Sequence, residues 1–284
     1  MNNSIAGVVI IYNPDSDILV NIKSYINQVE YLFLFDNSKT LSHKLAKFVK
    51  EHKNVEYIFN GENQGISQPI NEAAKLSVRK GFEYLLPMDQ DSFAQQNFVN
   101  EMLKVFDQFK DVAIVSPWIV DKNYPVKSKI KEPFQVEYCI TSGGIIRLDA
   151  FLEVGGYNDK LFIDYVDIEF SLRLRKFNYR IIKCPKVNLY HTVGKLKKWS
   201  IKPFYFYSTN HSPIRLYYRT RNRFYIWDTF KEEKAFLKND LIRFIKEIVK
   251  IIVVESYKTQ KLRMIFRGFR DFKKNNFGRL NDKI

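Results

Sequence analysis

The chain has 284 residues, 45% of them hydrophobic and 15% aromatic, enough to bury a sizeable core, and this excludes global disorder. No apolar run reaches the ~18 residues of a membrane span, and Met1-Asn2-Asn3-Ser4 enters a strand-like segment without a basic start or cleavage pattern, so neither a spanning segment nor a secretory signal is expected. The formal charge of +15 lies wholly in the last third: residues 1–194 carry 23 basic and 23 acidic side chains, residues 195–284 carry 23 and 8.

Residues 5–12 read as a buried strand, broken by Asn13-Pro14-Asp15, with Pro14 near the first position of a helix. Ile18, Ile22, Tyr25, Ile26 and Val29 carry that helix's apolar stripe. Tyr31–Phe35 is a second strand ending at Asp36-Asn37-Ser38, followed by a helix over 41–51. A third strand, Val55–Phe59, ends in Asn60-Gly61-Glu62-Asn63-Gln64-Gly65, and a helix follows over 67–80. Tyr84–Met88 leads into Asp89-Gln90-Asp91. A helix over 96–109, a strand over 112–116 and a mobile Lys-rich loop over 121–136 come next. An apolar strand is expected before Ser142-Gly143-Gly144, then a short helix over 148–154, a helix through about Phe177 and a strand over 181–190 ending at His191. This alternation implies an α/β fold with a mostly parallel, doubly wound sheet.

In such sheets ligands bind beyond the carboxyl ends of the strands. Asp36, Asn63, Gly65, Asp89 and Asp91 all fall there. Alternate residues of an extended chain point the same way, so Asp89 and Asp91 are expected to face one ligand together. Paired carboxylates need a cation or a proton between them, and hard oxygen ligands beside a diphosphate suit Mg²⁺ or Mn²⁺. A solvated loop is the bland alternative for the triplet. Cys139 and Cys184 lack metal-ligand spacing and read as two reduced, buried thiols of a cytosolic protein.

The motifs in order are Val9-Ile10-Ile11-Tyr12-Asn13-Pro14, Asp36-Asn37-Ser38, Asn63-Gln64-Gly65 with Asn71, Asp89-Gln90-Asp91, Ser142-Gly143-Gly144, Asp167-Ile168-Glu169 with Leu172-Arg173, and His191. Over about residues 5–225 this set resembles the inverting nucleotide-sugar glycosyltransferases of family 2, which have the GT-A fold. Met88–Ser92, Phe162–Glu169 and Arg215-x-Tyr217-Tyr218-x-x-Arg221-Asn222 bring the chain nearest to bacterial rhamnosyltransferases. Many relatives carry Glu-Asp at the base position, and here Val166 replaces that Glu. The resemblance implies Asp167 as general base and Asp91 and His191 as ligands of a divalent metal. Tyr12, Asn13, Asp36, Asn63, Gly65, Asp89, Gly143 and Gly144 would line the nucleotide-sugar site, and Arg215 and Arg219 would clamp phosphate. It also implies a donor such as dTDP-rhamnose or a UDP-hexose, and a lipid-linked or oligosaccharide acceptor in cell-surface polysaccharide assembly. A nucleotidyltransferase on a similar sheet is the rival enzyme.

The sequence divides into a catalytic domain, 1–225, and a basic helical region, 226–284. Leu241, Ile242, Ile245, Ile248, Val249 and Ile252 form one helical face, with Arg243, Lys246, Glu247 and Lys250 mostly opposite, and Lys261–Lys274 repeats the mix. A basic amphipathic helix with aromatics fits an anionic membrane surface, lying flat. That gives a cytoplasmic protein peripheral on the inner face of the cell membrane, or helices that pack on the catalytic domain or on a second subunit of a homo-oligomer. A nucleic-acid-binding tail is the rival from another class. Neutral, carboxylate-rich residues 1–194 weigh against a polyanionic partner.

Overall fold

The computed structural model describes residues 4–121, 126, 128–191, 197–201 and 204–280. They form two compact units: Met1–Asp159 with Val166–Thr192, and Lys160–Tyr165 with Val193–Ile284. The sequence places its boundary at 225–226 instead.

In the first unit β1 (Ile5–Ile11), β2 (Tyr31–Asp36), β3 (Val55–Phe59) and β4 (Tyr84–Asp89) pair in parallel in the order β3-β2-β1-β4. Three of these strands are near-continuous apolar runs because both faces are covered. The connecting helices are α1 (Ile18–Lys23), α2 (His43–Lys50) and α3 (Ser67–Arg79), with α4 (Phe98–Gln108) beyond β4. The sheet continues through β5 (Phe93–Ala94), β6 (Val112–Asp121), β7 (Phe134–Gln135), β8 (Ile145–Arg147) and β9 (Arg180–His191), giving β3-β2-β1-β4-β8-β6-β9-β5 with β7 also on β9. Only the short β5, β7 and β8 run antiparallel to their neighbours among the described strands of this sheet. Helices α5 (Leu148–Glu153) and α6 (Val166–Lys176) complete the unit.

Three local expectations are corrected. The stripe from Ile18 to Val29 is buried throughout, yet it is split between α1 and a 3-10 turn at Ile26–Gln28, and Pro14 precedes the helix rather than starting it. The Ser24 hydroxyl explains the break. It donates to Asn21 O (2.6 Å) and accepts from Ala94 N (3.0 Å), so a side chain competes with the helical ladder. Second, β8 follows Gly143-Gly144, and the residues just before Ser142 form no strand. Gly143 sits at φ +78° and donates to Pro87 O (2.8 Å); a Cβ there would meet Leu189 at 2.7 Å, so glycine is required. Third, β6 and β7 occupy the two ends of the stretch expected as a loop over 121–136. Residues 122–125 and 127 of that loop lie outside the described residues.

The second unit holds a hairpin, β10 (Lys197–Ile201) with β11 (Phe204–Ser208), and helices α7 (Pro213–Thr229), α8 (Lys234–Val253) and α9 (Lys258–Lys273). Ser212 caps α7 by accepting from Arg215 N, with Pro213 at the first helical position. Arg223 is buried on α7 and pairs with Asp240 and Glu247 of α8, both at 3.1 Å. Asp240 also accepts from Tyr165 Oη (2.8 Å) and Trp227 Nε1 (2.9 Å), so this buried carboxylate is fully engaged. Gly268 of α9 lets that helix approach α7 closely, since a Cβ would lie 2.5 Å from Tyr217 O.

Arg221 and Asn222 are structural. Arg221 donates to the carbonyls of Lys160, Leu161 and Gly278, and Asn222 Nδ2 donates to those of Leu161, Ile163 and Asp164. These bonds hold a strap, residues 160–165, in which Phe162, Asp164 and Tyr165 have φ of 59°, 62° and 64°. Each such residue costs about 1–2 kcal/mol outside glycine, so the strap persists because its carbonyls are gripped.

His211 supplies a stability prediction. Burial, then the positive charges of Arg219 and Arg215, lower its pKa from 6.5 to about 4. The folded state therefore binds this proton less readily than the unfolded chain, and the contribution is complete above the unfolded pKa and lost as pH falls from about 6.5 towards 4. Denaturant unfolding at about pH 7 and pH 5 should show roughly 1–2 kcal/mol less stability at the lower pH from this group. His211→Gln should flatten that part of the profile, and an unchanged slope would refute the assignment.

No helix among the described residues is long and apolar enough to cross a membrane.

Candidate active site

β4 delivers Asp89 to the carboxyl edge of the sheet, and a tight turn closed by Ser92 N to Asp89 O (3.1 Å) folds the chain back into β5. The turn, not the alternation of an extended strand, brings Asp91 beside Asp89. β9 ends at His191, and its pairing with β5 sets Tyr190 opposite Phe93. His191 Nδ1 lies 3.1 Å from Asp91 Oδ1, and Nε2 lies 4.0 Å from Asp89 Oδ2. Asp89, Asp91 and His191 each offer one ligand atom, all within 4.8 Å of one another. Two carboxylate oxygens and an imidazole nitrogen suit Mn²⁺ or Mg²⁺, and a cation would offset the repulsion between the two carboxylates.

Two serines tie this cluster together. Ser142 Oγ accepts from Asp89 N (2.9 Å) and shares a hydrogen bond with Ser92 Oγ (2.8 Å), which in turn lies 3.1 Å from His191 Nδ1. The chain around α1 grips the same turn: Asn21 Nδ2 donates to Gln90 O (2.9 Å), and Gln90 Oε1 accepts from Tyr12 N (2.8 Å). The sequence reading gave Gln90, Ser92 and Ser142 no individual role. Two of the three flank Asp91 in sequence, which was the available signal.

The tips of β1, β2 and β3 form a second polar group. Asp36 is fully buried; its oxygens accept from Ser38 N (2.9 Å) and Tyr57 Oη (2.6 Å). Burial, followed by the hydrogen bond to Asp36, pushes the Tyr57 phenol well up, so it stays a donor. Asn13 N donates to Ser38 Oγ (2.7 Å). Asn37 Nδ2 donates to Gly65 O (2.8 Å), and Gly65, at φ +80°, donates through its N–H to Asn63 Oδ1 (2.9 Å). Asn13, Asp36, Asn63 and Gly65 thus belong to one hydrogen-bonded rim, and Tyr12 stands at its edge, 47% exposed. Tyr57 was not singled out from sequence; nothing local marks a tyrosine 21 residues from its carboxylate.

Asp167 lies in the first turn of α6, its Oδ1 accepting from Ile168 N (2.9 Å). It lines a narrow crevice with Cys139, Thr141, Gly144, Tyr157 and Ser171. Burial pushes the Cys139 thiol up to about 12, which keeps it protonated, and Cys184 is likewise a buried free thiol. Glu169 faces elsewhere: it pairs with Arg173 (2.7 Å), which donates to the carbonyls of Val154 and Gly156 and so closes the end of α5. Asn71 bonds both N and O of Tyr157 and is structural in the same way. Loop 139–144 joins the two chemical groups, since Ser142 touches the Asp89 cluster while Cys139, Thr141 and Gly144 line the crevice of Asp167.

Arg215 and Arg219 lie in the second unit. Both pair with Asp164, at 3.1 and 3.4 Å, and Arg219 also pairs with Glu247 at 3.1 Å.

Residues 8–163 match the family model described as Glycosyl transferase family 2. The chain is 31% identical over 247 residues to the dTDP-rhamnosyl transferase RfbF of Shigella flexneri, covering 79% of this chain and 80% of that protein. It is 24% identical to the low-salt glycan biosynthesis hexosyltransferase Agl10 of Haloferax volcanii, over 67% and 68% of the two chains. Among solved structures, S. aureus TarS 1–349 in complex with UDP-GlcNAc aligns with a TM-score of 0.63 at 16% identity, covering 95% of this chain and 80% of that one. GalNAc-T7 with UDP, GalNAc and Mn²⁺ aligns at 0.60 and 15% identity, over 95% of this chain and 56% of that one. These two likenesses show the fold.

Proposed function

This chain belongs to glycosyl transferase family 2 and has the GT-A fold, and we propose that it moves rhamnose from dTDP-rhamnose to an acceptor hydroxyl, inverting the anomeric centre, in bacterial cell-surface polysaccharide assembly such as O-antigen or capsule. The convergence of Asp89, Asp91 and His191 at the carboxyl edge of the sheet carries the reading. The similarity to a dTDP-rhamnosyl transferase supports the donor.

Asp91 and His191, with Asp89, would hold Mg²⁺ or Mn²⁺, which supplies Lewis-acid neutralisation of the leaving diphosphate. Ser92 orients the His191 ring, and Ser142 fixes the backbone of Asp89. Asp167 takes the proton of the acceptor hydroxyl as its oxygen attacks the anomeric carbon. The bond from that carbon to the diphosphate oxygen breaks on the opposite face, hence inversion. Tyr12, Asn13, Asn63 and Gly65 line the nucleoside side, and Asp36 positions that rim through Tyr57 and Ser38. Gly143 and Gly144 would bring the loop backbone beside the sugar, since a side chain at either would run into Leu189 or Ile114 behind the loop. Arg215 and Arg219 are assigned to phosphate; each would trade an oxygen of Asp164 for a phosphate oxygen of like charge. The acceptor is lipid-linked or an oligosaccharide, and the enzyme works peripherally at the inner face of the cell membrane.

A UDP-hexose donor is the second reading, favoured by fold neighbours that hold UDP-GlcNAc or UDP. Release of nucleoside diphosphate from a donor panel, with and without divalent metal, decides. The expected result is metal-dependent dTDP release from dTDP-rhamnose. UDP release instead selects the second reading, and no release from any donor with any acceptor overturns both.

A further inference from the structure

Helix α8 has three faces. Phe236, Phe244 and Ile251 are buried, and on the same side Asp240 and Glu247 are tied to α7 through Arg219 and Arg223. Leu241, Ile242, Ile245, Val249, Ile252 and Val253 point away from that packing and are each between 42% and 52% exposed. At about 100° per residue these six fall within about 120° of the helix surface, displaced from the packed stripe. Arg243, Lys246 and Lys250 follow on the next sector, and Lys234 and Lys238 extend the apolar stripe at its amino end. Scattered exposed apolar side chains need no explanation, but a continuous stripe along most of a 20-residue helix does.

We infer that this outer stripe of α8 docks on an anionic bilayer, with the helix lying in the plane of the headgroups. Three observations select that occupant. The stripe is bordered by cations, and the whole +15 excess of the chain lies in residues 195–284. The helix cannot cross the bilayer, because charged residues recur along it and no helix among the described residues meets the requirement for a span. Its inner face is pinned to α7 by ion pairs, so it cannot turn to bury that face in lipid instead. This deepens the peripheral placement proposed above and rests on it for the occupant.

Co-sedimentation of the full chain with phosphatidylcholine vesicles, with and without phosphatidylglycerol, tests the inference. The protein should pellet with the anionic vesicles at low salt and be released by high salt. Ile245→Asp with Val249→Asp should reduce partitioning roughly tenfold or more, and Lys246→Glu with Lys250→Glu roughly tenfold. Nucleoside diphosphate release on a soluble acceptor should be unchanged in both variants. Binding that survives the aspartates keeps the peripheral placement and overturns α8 as its surface. No binding to anionic vesicles overturns both. A chain that is dimeric without lipid, and made monomeric by the aspartates, assigns the stripe to a second copy and likewise overturns the inference.

Discussion

Asp167→Asn should lower turnover roughly a thousandfold, within the 10²–10⁴ range of a lost general base, while the donor KM stays within about twofold. The substitution keeps the size of the side chain and the acceptor that receives Ile168 N, so α6 should start as before. Thermal unfolding of the variant should match that of the parent. The assignment rests on the match to the family's base position, and the neighbouring carboxylate, Glu169, is consumed by Arg173. Glu169→Gln should therefore act on stability and not on chemistry, and the pair of variants separates the two roles. Near-normal turnover in Asp167→Asn would refute Asp167 as the base.

Asp91→Ala should abolish metal-dependent transfer, with an affinity for Mn²⁺ lower by roughly a hundredfold or more, read by metal titration as well as by turnover. Removing one of three converging candidate ligands would leave Asp89 and His191 to hold a cation. Ser92→Ala should act more gently, in the roughly 10–100-fold range typical of a lost outer-shell hydrogen bond, because the Ser92 hydroxyl acts through His191 and Ser142. Equal metal affinity in Asp91→Ala and the parent would show that the cluster is not a metal site.

Much of this site was legible because buried strands announce their ends. An apolar run that stops at Asp36 or Asp89 can place that residue only at the sheet's edge, and the structure does so. The details that escaped depend on distant side chains. Ser24 ends α1 by bonding Asn21 and the chain at Ala94, and Asp36 is held by Tyr57, both set by packing rather than by local pattern. Helix α7 shows little periodicity because Arg219 and Arg223 turn inward onto acids 17 to 55 residues away in sequence. In α8 the apolar face was visible, but not its orientation: the residues that pack are Phe236, Phe244 and Ile251, while the stripe read from sequence is mostly exposed. Amphipathicity identifies a face that avoids water without saying which partner removes it.

On the roles proposed above, loop 139–144 would make leaving-group departure and proton removal energetically interdependent. Ser142 bonds the backbone of Asp89, and its neighbours Thr141 and Gly144 form the wall beside Asp167. Free energies of substitution at Ser142 and at Asp167 should then fail to sum in a double-mutant cycle. Evolution of a new acceptor preference through this loop would carry a change in cation affinity with it, so the two traits are expected to drift together across relatives that vary here.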